Sequence, residues 1–202
     1  MIVKRILLLI ILFSLIPISF LFSWRILYAE QYYKLYHLHF YQYPDDSMEN
    51  IFYLEQALKS DFANPLYALA KISDKSQWER YRYLFKMHLN LKLIEQYLTL
   101  GSKYDKMNAY FYNYPWKYAN LDSLKKAEKA YLVALDYWKE VLEWADKAWD
   151  MRYINLPEVQ NWEDENYRIE TGLLDYNDII GEHLARLERV REDFKKMDKN
   201  TY

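Results

Sequence analysis

Apolar residues recur every seven positions along one stretch of the chain, and this spacing restricts what the stretch can fold into. Between Asp122 and Arg152 three columns keep the spacing: Leu124, Tyr131, Trp138 and Ala145; Ala127, Ala134, Val141 and Ala148; and Leu135, Leu142 and Trp149. Seven residues make nearly two turns of an α-helix, so the columns share one face. They predict a helix about 46 Å long, with an alanine column that lets a neighbour approach closely. The width of the face favours packing within one chain over a dimer seam.

The remaining composition also favours an all-α fold. The 202 residues include only three glycines and five prolines, too few for the turns of a many-stranded sheet. They include 22 Tyr, nine Phe and seven Trp, whose rings bury a large area per residue. We therefore expect one helical domain with an aromatic core.

A separate apolar segment opens the chain. No charge interrupts the run from Ile6 to Phe22, and with Ser23 and Trp24 its length approaches the ~30 Å hydrocarbon core of a bilayer. It predicts a transmembrane anchor over residues 1–24, with Trp24, Tyr28 and Tyr32 at the membrane interface. A cleaved signal peptide is the alternative. The length of the run and the lack of a small-residue cleavage site favour a retained anchor.

The orientation of this anchor follows from the charges around it. Lys4 and Arg5 precede the run, and Arg25 and Lys34 follow it, so the positive-inside count is nearly equal on the two sides. A short basic N-terminus is typical of signal anchors. We therefore expect a single-pass protein of a bacterial inner membrane with its C-terminal domain in the periplasm.

Capping and stop signals divide the rest of the chain into helices. We expect the anchor helix to continue to Tyr43 as a juxtamembrane extension over 25–45, followed by a helical domain over 46–202. The helices predicted within this domain are 47–60, opened by an Asp46 capping box; 65–72; 76–100, opened by a Ser76 capping box and stopped by Gly101; 103–112; 122–152; 162–168, as a helix or an ordered loop; and a last one from Asp175 or Asn177 to Met197.

The sequence argues against several functional classes. It has no cysteine, which excludes disulfides, thiolate metal sites and a cysteine nucleophile. Its net charge is −2, and the part beyond the anchor is more acidic, which disfavours nucleic-acid binding. It contains no Gly-x-Ser-x-Gly, His-Glu-x-x-His or glycine-rich phosphate loop, so we expect a protein that is not an enzyme and holds no cofactor.

The histidines do not suggest a metal site. His37 and His39 are two residues apart, and such side chains point to different faces of a helix. Asp45 and Asp46 follow them, but helix capping explains these carboxylates. His88 and His183 are isolated in the sequence. We therefore expect no metal ion.

An aromatic stretch between residues 104 and 118 is the candidate binding surface. Its proposed partner-binding residues are Tyr104, Tyr110, Tyr112, Tyr114, Trp116 and Tyr118. Tyr and Trp dominate protein–protein hot spots because they bury a large area at low entropic cost and keep a polar tip. The alternative is that these rings fill a gap between two pairs of helices.

Two segments resemble the tetratricopeptide repeat, a helix–turn–helix unit of about 34 residues. One is Phe52 to Ala68, with Ala57 at the small packing position and Asn64-Pro65 at the turn; the other is Leu98-Thr-Leu-Gly-Ser-Lys-Tyr104. The resemblance implies a domain of antiparallel helical hairpins whose concave surface binds protein segments. Membrane-anchored periplasmic proteins of this kind resemble scaffold components of bacterial envelope machines, such as the spirochaete flagellar-motor collar.

Together these features predict a membrane-anchored scaffold that binds other proteins in an envelope assembly. A helical protein that binds an apolar ligand or lipid is the alternative. A homo-oligomer formed through Leu124 to Trp149 is a third hypothesis.

Overall fold

In a computed structural model, residues 25–107 and 112–200 are described, and they form six α-helices. These are α1 Ala29–Gln42, α2 Ser47–Lys59, α3 Lys75–Ser102, α4 Lys117–Trp149, α5 Gln160–Glu170 and α6 Tyr176–Lys196. Single 3₁₀ turns lie at Pro65–Tyr67, Tyr114–Trp116 and Pro157–Val159. The predicted all-α fold is confirmed for these residues, where the only β-type pairing is an isolated bridge between Tyr28 and Asp61.

The long helices α3 and α4 form an antiparallel hairpin at the centre of the fold. Near the turn of the hairpin, the Tyr97 and Tyr137 rings stack with centroids 5.6 Å apart. Near its open end, Tyr83 stacks on Trp144 at 6.0 Å. α1 packs on α2 and α2 on α3, while α5 contacts both long helices and α6 packs along α4.

Two of the three seven-residue columns of α4 are buried. Every residue of the Leu124 and Ala127 columns is buried, including Trp138. Leu135 and Trp149 are only half-buried and Leu142 is exposed, so the third column lies at the margin of the apolar face. The face therefore packs within the chain, against α3, α5 and α6.

Side-chain caps explain where several helices begin. Asp46 accepts a hydrogen bond from the Glu49 N–H at 3.3 Å, as the capping prediction requires. Asp175 caps α6 in the same way, accepting from Asn177 N–H at 2.8 Å. The cap of α3 is Asp74 rather than Ser76, because the Asp74 carboxylate accepts from the Gln77 N–H at 2.9 Å.

The start of the described chain differs from the predicted continuous helix. Residues 25–28 are not helical, and α1 begins at Ala29 after the extended Tyr28. The reason is a tertiary contact: the Ala29 N–H donates to the Asp61 carbonyl at 2.8 Å and joins this segment to the end of α2. Tyr33 and Tyr36 of α1 are buried in the core shared with α3. α1 thus packs into the same core as the helices that follow it.

The segment after α2 also differs from its prediction. A helix is predicted from Pro65 to about Ile72, but only the 3₁₀ turn Pro65–Tyr67 forms. Asn64 accepts from the Leu66 N–H at 2.9 Å, and the Tyr67 and Ala68 N–H groups close the 3₁₀ turn. The Leu69 N–H does not continue it, because it donates to the Tyr81 hydroxyl at 3.1 Å.

No helix in the described ranges is long and apolar enough to cross a membrane. The predicted anchor over 1–24, with Trp24, lies outside the described residues. Of the other two predicted interface residues, Tyr28 is exposed just before α1, whereas Tyr32 packs partly against the core.

Candidate partner-binding site

The predicted binding stretch lies at the turn of the α3–α4 hairpin. The structure describes 103–107 and 112–118, so Tyr110 lies outside the described residues. A helix is predicted over 103–112, but residues 103–107 form turns, and Lys106 adopts a positive φ of 60° that a helix does not allow. The chain leaves the helix because Asp105 points inward.

Asp105 is the anchor of this turn. Its side chain is fully buried, and its Oδ2 accepts a hydrogen bond from the Tyr131 hydroxyl of α4 at 2.8 Å. The same oxygen pairs with the Arg186 guanidinium of α6, while Oδ1 accepts from the Met107 N–H at 2.9 Å. Burial and then the hydrogen bond to Asp105 raise the pKa of the Tyr131 phenol, so it stays a donor at neutral pH. One carboxylate thus joins the turn to two helices.

Gly101 makes room for this arrangement. It lies inside the last turn of α3, not after it as predicted, and a Cβ added there would come within 2.3 Å of Tyr131 Cε1. That distance is far below van der Waals contact, and the Tyr131 ring is itself fully buried. Glycine is needed here for close approach of a ring rather than to end the helix.

Two contacts fix the later part of the stretch on the C-terminal end of α6. Tyr112 stacks on Phe194 with ring centroids 4.8 Å apart, and its hydroxyl donates to the Lys106 carbonyl at 2.8 Å. Lys117 Nζ donates to the Lys195 and Met197 carbonyls at 2.7 and 2.9 Å. Both contacts hold the start of α4 against the last turn of α6.

Several large side chains of this turn nevertheless remain exposed. We call them the aromatic patch: Tyr104, Met107, Tyr112, Trp116 and Tyr118, which are 37%, 69%, 39%, 49% and 74% exposed. Tyr114 is half-buried and Pro115 exposed. The rings are therefore only partly used in packing, and each patch member leaves more than a third of its surface to water. An apolar surface held in a fixed position is what a protein partner can bury at low entropic cost.

A buried polar network lies elsewhere, and sequence reasoning missed it. The Tyr33 hydroxyl and His88 Nε2 are 2.6 Å apart, and His88 Nδ1 lies 2.6 Å from Glu165 Oε2. Trp162 stacks on the His88 ring at 5.1 Å. The network joins α1, α3 and α5, and burial raises the pKa of the Tyr33 phenol. His88 appears isolated in the sequence because its partners lie more than 50 residues away.

This tyrosine–histidine–glutamate network has the groups of an acid–base relay but no access for a substrate. Tyr33 and His88 are 6% and 2% exposed. A relay needs a reacting group within hydrogen-bond reach, and the core closes over both atoms. Its hydrogen bonds satisfy polar groups that the core would otherwise leave unpaired.

The predicted histidine pair also has structural partners. His39 Nδ1 lies 2.9 Å from Asn50 Oδ1, and its Nε2 is 3.9 Å from Asp46. The His37 ring packs edge-on against Tyr33, and burial lowers the pKa of His37, with the nearby His88 and Lys92 adding to the shift. Within the described ranges no group of three His, Cys, Asp or Glu side chains is placed to hold a metal ion.

Comparison with known proteins gives one relationship. No curated protein and no solved structure matches the chain. Residues 76–197, which extend from the first turn of α3 to the end of α6 and include the aromatic patch, match the model of a family described as a domain of unknown function (DUF8513). Since this match covers more than half of the chain, the protein belongs to that family.

Proposed function

We propose that this protein is a membrane-anchored scaffold that binds other proteins through the aromatic patch, without catalysing a reaction. The observation that carries the proposal is the combination of exposure and anchoring at the hairpin turn. Trp116 and Tyr118 are exposed, while Asp105, earlier in the same stretch, is fully buried and bonded to α4 and α6. A patch fixed in this way loses little conformational entropy when a partner covers it.

The residue types of the patch suit a protein partner. Tyr and Trp supply large rigid rings with a polar tip, and such rings cluster in the hot spots of interfaces. Lys126 Nζ lies 6.0 Å from the Tyr104 ring centroid and pairs with Asp122 at 2.9 Å, so this edge of the patch carries one charge of each sign. We expect a partner surface with an apolar centre and a polar rim.

The alternative function, binding of an apolar ligand or lipid inside the helices, lacks a comparable feature. The core rings of the described residues pack on one another: Tyr81 stacks on Trp78 at 5.3 Å and Phe85 on Trp162 at 5.1 Å. A ligand site inside the helices would instead present these core rings to an internal cavity. The homo-oligomer hypothesis is weakened likewise, because α4 uses its broad apolar face within the chain.

The membrane and envelope parts of the proposal rest on sequence. The apolar run before residue 25 supports a single-pass anchor in a bacterial inner membrane, and the basic N-terminus supports a periplasmic domain. The resemblance to tetratricopeptide repeats supports a helical interaction domain, although α4 alone has 33 residues, the length of a whole repeat unit. The spirochaete flagellar-motor collar is the assembly we propose first, by analogy.

Site-specific photocrosslinking tests the interaction surface. A photoreactive p-benzoylphenylalanine replaces Tyr118 in the full-length protein, in native membranes. Tyr153 is a matched control, because it is also a tyrosine, is 80% exposed and lies at the other end of α4. We expect discrete adducts with envelope proteins from position 118 and none of the same adducts from position 153.

Two further results decide the proposal. Trp116→Ala in the same background should remove the adducts if Trp116 belongs to the binding surface. Identical adducts from both positions, or only the protein alone with co-purified lipid, would overturn the scaffold function. Resistance of the protein to carbonate extraction, with protease cleavage only from the periplasmic side, tests the anchor and its orientation separately.

A further inference from the structure

A second surface feature lies toward the open end of the hairpin, away from the aromatic patch. It is a cleft of about 570 Å³ between the end of α2, the first half of α3 and the second half of α4. Four cationic side chains line it, together with the rings of Tyr83 and Trp144: Lys59, Arg82, Lys86 and Lys147. We call it the basic cleft.

Two of these cations share one aromatic ring. Lys86 Nζ lies 4.2 Å from the Trp144 ring centroid, and Lys147 Nζ lies 4.1 Å from it. Attraction to the ring quadrupole offsets part of the repulsion between the two ammonium groups. The ring therefore concentrates positive charge in one wall of the cleft.

Only half of the positive charge is neutralised by neighbouring carboxylates. Lys59 pairs with Glu55 at 2.9 Å, and Lys147 pairs with Glu143. Arg82 and Lys86 have no carboxylate within 4.0 Å in the described part of the chain, and the buried Arg82 Nε finds no acceptor there. Asp61 also lines the cleft, but one carboxylate leaves it cationic. Arg82 Nε is one of three buried side-chain N–H donors without an acceptor in the described residues, and it is the one that belongs to the lining of the cleft.

The electrostatics of Lys86 agree with this charge count. Burial lowers its pKa, and the positive charges of Arg82 and Lys147 lower it further, while the negative charges of Glu140 and Glu143 oppose the shift. An anion bound between Arg82 and Lys86 would relieve both effects, because it neutralises the repulsion and accepts hydrogen bonds from the buried donors.

We propose that the basic cleft binds a phosphate group. A phosphate monoester carries more than one negative charge at neutral pH, and Arg82 and Lys86 are two cations without a paired carboxylate. Its several acceptor oxygens match the guanidinium of Arg82 and the ammonium of Lys86. The rings of Tyr83 and Trp144 border the cleft, so a ligand with a phosphate and a short apolar part fits the lining better than inorganic phosphate alone.

The position of the cleft favours a lipid headgroup as the source of the phosphate, and this step rests on the proposed membrane anchor. Asp61 lines the cleft and accepts a hydrogen bond from the Ala29 N–H at 2.8 Å, where the chain enters the domain. Residues 25–28 bridge only about 13 Å from the predicted end of the anchor. The cleft would therefore lie within reach of headgroups of the same membrane.

The test titrates the full-length protein in nonionic detergent with two probes, inorganic phosphate and detergent micelles containing phosphatidic acid. Binding is measured by isothermal titration calorimetry. The test variant is Arg82→Gln with Lys86→Gln. The control is Lys125→Gln with Lys129→Gln, which removes the same charge from exposed positions of α4 outside the cleft.

We expect saturable binding of phosphatidic acid that weakens at least about tenfold in the cleft variant, the change expected from losing one charge-assisted hydrogen bond. The control should change less than about twofold, and Lys86→Arg should retain most of the binding. Saturable binding of both probes would assign recognition to the phosphate group itself, whereas binding of the micelles alone would assign it to the lipid. Both outcomes support the proposal.

Two results would overturn it: no saturable binding of either probe, or an equal loss of binding in both double variants. Melting curves check that the cleft variant is folded, and the single Lys86→Gln variant replaces it if it is not. Crosslinking at Tyr118 does not depend on the cleft, so failure of this proposal and failure of the scaffold function are distinguishable.

Discussion

The two ends of the α3–α4 hairpin each contain a buried arginine–carboxylate pair, but the two pairs hold different structures. At the open end Arg80 is 3% exposed and lies 3.4 Å from Glu163, and its guanidinium also donates to the Met151 and Ile154 carbonyls. At the turn Asp105 is fully buried and pairs with Arg186, which is 23% exposed. Arg80 satisfies the carbonyls that follow α4, whereas Asp105 holds a surface turn.

The comparison shows that the same type of ion pair can either satisfy the backbone at the end of a helix or hold a surface turn in position. Glu163 Oε1 also accepts from the Leu156 N–H at 2.7 Å. Arg80 and Glu163 therefore both bond to the backbone of residues 151–156, which follow α4, and Glu163 is next to the buried Trp162. The Asp105–Arg186 pair instead lies in a stretch whose rings, such as Trp116 and Tyr118, remain exposed. We therefore expect changes of the Arg80–Glu163 pair to alter stability without altering partner binding, and changes of the Asp105–Arg186 pair to alter both.

Arg80→Met should have the largest effect. The substitution leaves Glu163 and two carbonyls without their donor, and breaking a buried pair in this way costs about 3–5 kcal/mol. The melting temperature should fall by roughly 2–4 °C per kcal/mol for a chain of this size. Thermal unfolding followed by circular dichroism measures it, with Arg189→Met on the exposed side of α6 as the matched control. An equal, small change in both variants would contradict the role of Arg80.

Asp105→Asn should have a smaller effect on stability but a second effect on the patch. Asparagine can still accept from Tyr131, but it removes the charge that pairs with the partly exposed Arg186, at a cost of about 1–3 kcal/mol. Hydrogen exchange of residues 103–107 should accelerate, and crosslinking from position 118 should decrease. Adding Arg186→Met should restore part of the stability, because no unpaired charge remains. Unchanged exchange and crosslinking would separate the turn from the binding surface.

The sequence is sufficient for the six α-helices but not for their ends or for the segments between them, since the helix predicted over 65–72 is only a 3₁₀ turn and residues 103–107 form turns. The columns of α4 depend on local periodicity, so residues such as Leu124, Ala134 and Val141 are predicted to pack and are buried. The end of α3 depends on Tyr131, a residue 30 positions after Gly101. From the sequence alone, a glycine near the end of a helix is interpreted as a C-terminal stop, because the contact with the distant Tyr131 ring is not visible there.

The candidate site divides in the same way. The aromatic residues at 104–118 stand out by type alone, but their exposure depends on what lies beneath them. Phe194 supports Tyr112, and Arg186 pairs with Asp105, yet both residues are about 80 positions away. The basic cleft likewise joins residues of three helices, and its charge balance appears only when Glu55 and Glu143 are seen to occupy two of its four cations.

Glu30 offers a pH test of the open end, where a carboxylate is buried without an arginine. Burial raises its pKa above the ordinary value of 4.5, although hydrogen bonds from the Ala63 N–H and Tyr81 oppose the shift. The folded state therefore binds this proton more tightly than the unfolded state. Its contribution to stability is fully present below pH 4.5 and is lost as the pH rises through the raised pKa.

Glu30→Gln should accordingly raise the melting temperature modestly at pH 7 and leave it unchanged at pH 4, because glutamine keeps an acceptor for Ala63 without the charge. Glu182→Gln, at an exposed position of α6, is the control and should change little at either pH. Melting curves across this pH range measure both. A Glu30→Gln variant that is less stable at pH 7 would show that the ionised carboxylate contributes to the folded state.

Tyr118→Ala should have the smallest effect on stability and the most selective effect on binding. Its side chain is 74% exposed, so the free energy of unfolding should change by no more than about 0.5 kcal/mol. If the aromatic patch is a binding surface, removal of its most exposed ring should weaken capture of the crosslinked partner about tenfold or more. Tyr153→Ala, at 80% exposure, should change neither quantity. A loss of stability without a loss of binding would instead assign Tyr118 to packing at the turn. The two ends of the hairpin would then differ only in the fraction of each aromatic ring that is buried.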